Sequence, residues 1–281
     1  MRSALLIVVW TATVPLIHAT SFFSISGDPN NNFVPDQWSS LTNSPASVIT
    51  TATLGDGSLG FNGGLTQGPG IALYAIANDS LGNSSLYLVQ PSGATSLVGA
   101  AGGLGSGFLG GLAWDSSTSM LYAAALDTFG NTTLYSITGG GIATSTGLAL
   151  GTGFSGLAYD SADGLFYGIG NDGTGFSTLY DFSLSGPVTT IGSLGFGFGA
   201  LTYDATNNAF WALDPVNNFA AQLFQVSPTG IVSAPFFTLG DGFDELAVTQ
   251  ASVGTGVPEP AGALTLGAGL VLIAILSRRK L

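Results

Sequence analysis

Aspartate recurs at two points of a pattern that runs through the whole chain, and these are the residues best suited to chemistry. One set, Asp28, Asp79, Asp127, Asp172 and Asp214, follows short aromatic phrases and leads into polar turns. Five carboxylates around one rim, with no cation beside them, would offer the hard oxygen ligands that Ca²⁺ takes. Regularly placed Asx-turn caps produce the same pattern. A second set, Asp115, Asp160 and Asp204, closes a different phrase and precedes turns such as Ser161-Ala162-Asp163-Gly164, where an aspartate bonds its own backbone. Paired carboxylates can also hydrolyse a glycoside, so a secreted carboxylate-dependent enzyme acting on polysaccharide stands as the rival to a non-enzymatic role.

Other chemistries lack their residues. The chain has no cysteine, which excludes disulfides, thiolate metal sites and a cysteine nucleophile. Its one histidine, His18, lies in the first 20 residues. All four cations, Arg2, Arg278, Arg279 and Lys280, lie at the ends, so the body has no Lys or Arg with which to neutralise phosphates or clamp an oxyanion. Nucleic acid is therefore excluded as a partner, while divalent cations and neutral ligands remain. The glycine-rich stretches carry no lysine and recur at strand entries, which does not make a phosphate loop.

The elements that must position these residues are repeats. Gly107-Phe108-Leu109-Gly110-Gly111-Leu112-Ala113-Trp114-Asp115 is echoed from Gly153 to Asp160 and from Gly197 to Asp204, with weaker copies at Gly60 to Thr66 and Gly242 to Val248. The anchoring residues Leu65, Leu112, Leu157, Leu201 and Leu246 are 47, 45, 44 and 45 residues apart. Within each unit follow a second phrase (Tyr74, Tyr122, Tyr167, Trp211), a third (Tyr87, Tyr135, Tyr180, Phe224) and a short fourth stretch. All are aromatic or β-branched and bounded by Gly, Asn, Asp and Ser, which predicts four strands per unit. The 43 glycines suit tight turns rather than helices. A period near 45 with four strands fits a β-propeller blade.

Four units are whole. The N-terminal fragment holds Phe22-Phe23-Ser24-Ile25, Gln37-Trp38 and Ser47 to Thr51, which match strands two to four. It lacks a first strand, and Gly242 to Val248 is a first strand with nothing after it. Joined, they make a fifth blade and hide both open edges. The expected fold is thus all-β, a five-bladed β-propeller with N-/C-terminal strand closure over residues 20–252. A four-bladed ring and an open stack of sheets are the competing arrangements. The aromatic set, with Phe23 and Trp38, is expected to pack blade against blade, since a structural repeat needs the same plug each time.

Residues 1–19 run from Arg2 through an apolar stretch to Ile17-His18-Ala19, the layout of a signal peptide. At the other end, in residues 253–281, Pro258-Glu259-Pro260 precedes an apolar stretch over 261–276 and the cluster Arg278-Arg279-Lys280. Sixteen helical residues reach about 24 Å, enough with their flanks to span a bilayer, and the basic cluster would stay cytoplasmic. This tail resembles the PEP-CTERM sorting signal, a type also found as the C-terminal domain of some ice-binding proteins. The resemblance covers about 25 residues and implies recognition and cleavage near Pro258, Glu259 and Pro260 by an exosortase in a Gram-negative bacterium. It implies passage through the secretion machinery, anchorage in the membrane through the C-terminal helix, then release to the cell surface or outside. Extracellular polysaccharide is the candidate partner there. Together these features predict a non-enzymatic exported cell-surface or matrix protein.

Overall fold

The computed structural model describes residues 21–26, 36–43, 46–55, 58–214, 221–239 and 243–249. The leader, the Pro258-Glu259-Pro260 tail with Arg278, Arg279 and Lys280, and Asp28 lie outside the described residues. Among the described residues every regular element is a strand, and no helix there is long and apolar enough to cross a membrane.

The strands form five antiparallel sheets arranged as the blades of a propeller. The first blade holds β1 (Ser21–Ser26), β2 (Asp36–Asn43) and β3 (Ala46–Leu54). The second holds β4 (Leu59–Gly60), β5 (Leu65–Gln67), β6 (Leu73–Asp79), β7 (Asn83–Val89), β8 (Thr95–Val98) and β9 (Gly105–Ser106). The third runs through β10 (Phe108–Asp115), β11 (Met120–Leu126), β12 (Asn131–Ile137) and β13 (Ala143–Thr152). The fourth comprises β14 (Phe154–Asp160), β15 (Leu165–Asn171), β16 (Phe176–Phe182) and β17 (Thr189–Phe196). The fifth comprises β18 (Leu201–Asp204), β19 (Ala209–Asp214), β20 (Gln222–Val226) and β21 (Phe237–Thr238). The last strand, β22 (Phe243–Thr249), returns to the first blade, whose order is β22-β1-β2-β3.

That closure has the expected partners. β22 pairs antiparallel with β1 from Ser21↔Thr249 to Ser26↔Phe243, with one irregularity after Ile25. Both described ends of the body therefore lie side by side. Ser24 Oγ donates to the Glu245 carbonyl at 2.5 Å, and Thr249 Oγ1 donates to the Ser21 carbonyl at 3.2 Å.

Burial follows position in the blade. Second strands lie between neighbouring blades and are buried on both faces, as in β11 and β15, whereas the outer strand β13 is mostly exposed. This explains why the second phrases read as continuous apolar runs rather than alternating ones. Aromatic pairs bridge the blades: Tyr122 meets Phe166 at 4.9 Å, Tyr167 meets Phe210 at 4.4 Å, and Trp211 meets Phe22 at 5.0 Å between ring centroids. Within blades two to five, the phenylalanine entering the first strand packs on the third-strand aromatic: Phe61 on Tyr87, Phe108 on Tyr135, Phe154 on Tyr180, Phe198 on Phe224. Tyr122, Tyr167 and Trp211 thus pack blade against blade as expected, whereas the ring contacts of Tyr87, Tyr135, Tyr180 and Phe224, and the stacking of Phe23 on Trp38, lie within one blade.

The glycines before Leu65, Leu112 and Leu157 are required by the approach of neighbouring first strands around the axis. Gly111 has φ +97°, and a Cβ there would stand 2.5 Å from the Leu157 nitrogen of the next blade. Gly64, at φ +119°, meets Leu112 in the same way at 2.4 Å. Only a residue without a side chain fits such a spacing.

Candidate functional site

The two aspartate sets separate in the structure. Asp79, Asp127 and Asp172 sit at the loops between second and third strands, and each carboxylate bonds its own loop. Asp79 accepts from the Leu81 and Asn83 backbone N–H groups, both at 2.8 Å, and from the Asn83 amide at 2.9 Å. Asp127 repeats this with Phe129 and Asn131, and Asp172 with Thr174 and Phe176. The Asn83 amide, the Asn131 amide and the Thr174 hydroxyl, helped by backbone N–H groups, hold these three carboxyls below the usual range. Each loop thus offers one carboxylate, whereas Ca²⁺ takes six to eight oxygens. Among the described residues no three acids gather at one place. Turn capping is what their geometry supports.

Asp214 differs from these three. In the register of its blade it pairs with Gln222, the slot in which Ala77 pairs with Ser85, Ala125 with Thr133 and Gly170 with Thr178. It therefore stands two places earlier than Asp79, Asp127 and Asp172, where the sister blades carry alanine or glycine. The side chain is 8% exposed, and its Oδ1 has no hydrogen-bond partner. Burial pushes its pKa up to about 6. Spacing alone had aligned it by residue type, and the strand register corrects that placement.

Asp115, Asp160 and Asp204 are buried at the turns that close the first strands, as expected. Asp115 accepts four hydrogen bonds from Ser117 and Thr118, between 2.7 and 3.3 Å. Burial pushes its carboxyl up, but these bonds outweigh burial and leave it below its ordinary value. Asp160 accepts from the Ala162 N–H at 2.7 Å, and Asp204 from the Asn207 amide at 2.6 Å. Four residues on, the chain turns through positive φ at Ser119, Gly164 and Asn208.

These turns surround a depression of about 370 Å³ at one mouth of the central channel. All five innermost strands contribute to it, and at the same position: two residues after each anchoring leucine stand Gln67, Trp114, Tyr159, Tyr203 and Val248. Thr66, Ser116, Ser161 and Thr202 add hydroxyls, and no acid or cation is among the lining residues. Tyr159 and Tyr203 are half-buried and pinned from behind by Phe166 at 5.0 Å and Phe210 at 5.1 Å. The Tyr159 hydroxyl donates to Ser117 Oγ at 3.2 Å, and that of Tyr203 to Asn208 Oδ1 at 3.0 Å. Burial first, then neighbouring aspartates, raises both phenol pKa values, so both remain protonated. Trp114, also half-buried, has no hydrogen-bond partner for its indole N–H among the described residues. The arrangement offers aromatic surface and neutral hydrogen-bonding groups, without a nucleophile and base in contact.

Sequence reasoning treated Trp114, Tyr159 and Tyr203 only as members of a repeated phrase. The signal that could have singled them out is an aromatic directly before the strand-closing aspartate on three innermost strands.

No family model matches the chain, and no curated protein matches it. Solved structures do. A chain of the nidogen/laminin complex aligns over 83% of this chain and 99% of its own length, with TM-score 0.55 and 11% identity. TolB from Acinetobacter baumannii aligns over 79% of this chain and 53% of its own, with TM-score 0.50 and 14% identity. A luciferin-regenerating enzyme aligns over 79% of this chain and 81% of its own, with TM-score 0.45 and 12% identity. At these identities the likeness is one of fold alone: the body is an all-β propeller.

Proposed function

We propose that the protein is a non-enzymatic, exported cell-surface or extracellular-matrix propeller, sorted through its PEP-CTERM-like tail and released by an exosortase, and that it works by binding at the channel mouth. The observation that carries the binding reading is the depression built from equivalent residues of all five blades. The tail resemblance, Pro258-Glu259-Pro260 followed by the apolar stretch and Arg278-Arg279-Lys280, carries the address. The rival, a carboxylate-dependent hydrolase, needs two acids facing one bond. Asp115, Asp160 and Asp204 instead bond their own turns, and Asp214, whose raised pKa suits a general acid, belongs to the other end of the blade. That contrast favours binding over catalysis.

The address is tested by replacing Pro258, Glu259 and Pro260 with alanine in the native host and separating membranes from medium. The altered protein is expected to stay with the membranes while the parent is released. Equal release of both removes the sorting half of the proposal.

A further inference from the structure

The geometry points to a neutral saccharide as the ligand of the mouth, held on Trp114 and oriented by the surrounding hydroxyls. This rests on the reading of the mouth as a binding site and adds the chemistry of what enters it.

Charge restricts the ligand first. The chain carries a net charge of −12 and its body has no Lys or Arg, so an anionic ligand meets repulsion and finds no counter-charge. A metal ion would need carboxylates, and none lines the depression. A purely apolar ligand would take the hydroxyls of Thr66, Ser116 and Ser161 out of solvent without offering them a hydrogen bond. A sugar ring meets both demands, because its C–H face lies on an aromatic ring while its hydroxyls exchange hydrogen bonds at the edge. Trp114 supplies the platform, with an indole N–H free to donate. The Tyr159 and Tyr203 hydroxyls give their single hydrogens to Ser117 and Asn208, which leaves their oxygens to accept from a ligand.

Size and rigidity agree. A volume of about 370 Å³ is at the lower end of small-molecule sites, enough for a short stretch of a longer chain that runs on across the open mouth. The two tyrosines are fixed by Phe166 and Phe210 behind them, so little side-chain freedom is lost on binding. A quaternary ammonium held by cation–π contact is the competing ligand for such an aromatic set. The site lacks the carboxylate that would help hold it.

The test titrates the full-length protein, purified in detergent, with cellohexaose, laminarihexaose and xylohexaose, and separately with choline. Isothermal titration calorimetry reads binding, because it reports alike on the parent and on a variant that lacks the mouth tryptophan, Trp114. Saturable binding of at least one oligosaccharide is expected, weakened about tenfold or more in Trp114→Ala and abolished in Ser161→Arg. The second substitution is at an exposed turn position and should leave the melting temperature unchanged. Oligosaccharide binding that survives both substitutions overturns the assignment. Choline binding that is lost in Trp114→Ala, with no oligosaccharide bound, overturns the saccharide and leaves the mouth as a site. No binding of either kind overturns both.

Discussion

Replacing Asp214 with asparagine should stabilise the protein at alkaline pH and change little in acid. The carboxyl is buried, its Oδ1 has no hydrogen-bond partner, and its pKa rises from 3.8 to about 6 through burial alone. A raised acid pKa means that the native state holds the proton more tightly than the unfolded state. The Asp214 contribution to stability is therefore greatest below about pH 4, falls as the pH rises to about 6, and is level above that. At about 1.36 kcal/mol per unit, the ionised carboxyl costs up to about 3 kcal/mol, and water entering beside it reduces this toward about 1 kcal/mol. Asp79, Asp115, Asp127 and Asp172 have lowered pKa values, so their contributions are lost as the pH falls and run in the opposite direction. Asp36 is raised, again by burial, and runs with Asp214. Comparing parent and variant at each pH removes these shared backgrounds. Urea unfolding followed by tryptophan fluorescence should show the variant gaining about 1–3 kcal/mol on the parent between pH 4 and pH 8. A stability difference that is the same at both pH values would refute the reasoning.

Two further outcomes follow from the architecture. Gly111→Ala should destabilise by about 2–4 kcal/mol in urea, because a Cβ there meets the Leu157 nitrogen at 2.5 Å and the backbone is at φ +97°; a loss below 0.5 kcal/mol, the ordinary scale of a surface change, would mean that the blades do not meet there. A chain ending at Leu239 lacks β22, exposes the inner edge of β1 and should melt far below the parent or aggregate, whereas one ending at Gly254 should melt like the parent. Equal melting of the two would separate β22 from closure.

Much of the fold was legible because a repeat states the same local solution several times. The regular return of Leu65, Leu112, Leu157, Leu201 and Leu246 marks the innermost strands, and the first and last fragments each lack what the other has, which is why Ser21 and Thr249 end up paired. The turn roles of Asp115, Asp160 and Asp204 were legible for a local reason: an Asx turn needs only its own next few residues. The innermost strand of the second blade was less so. It is split into β4 and β5 around Phe61 to Gly64, since the glycines there are shaped by the approach of the neighbouring blade rather than by their own pairing. Asp214 was misplaced because residue type, without strand register, does not reveal a shift of two. The mouth was missed because which face of a strand turns to the channel is a property of the closed ring. No single copy of Trp114, Tyr159 or Tyr203 expresses it.

The central claim is that the propeller stands outside the cell with its mouth open to a ligand. Because the chain has no cysteine, Ser161→Cys places one thiol at the mouth, on an exposed turn position. Intact cells of the native host would be treated with a maleimide too large to pass the outer membrane, with and without added extracellular polysaccharide from the same cells. The account predicts labelling of intact cells or of the released protein, slowed by the polysaccharide. Labelling seen only after the cells are broken would contradict it.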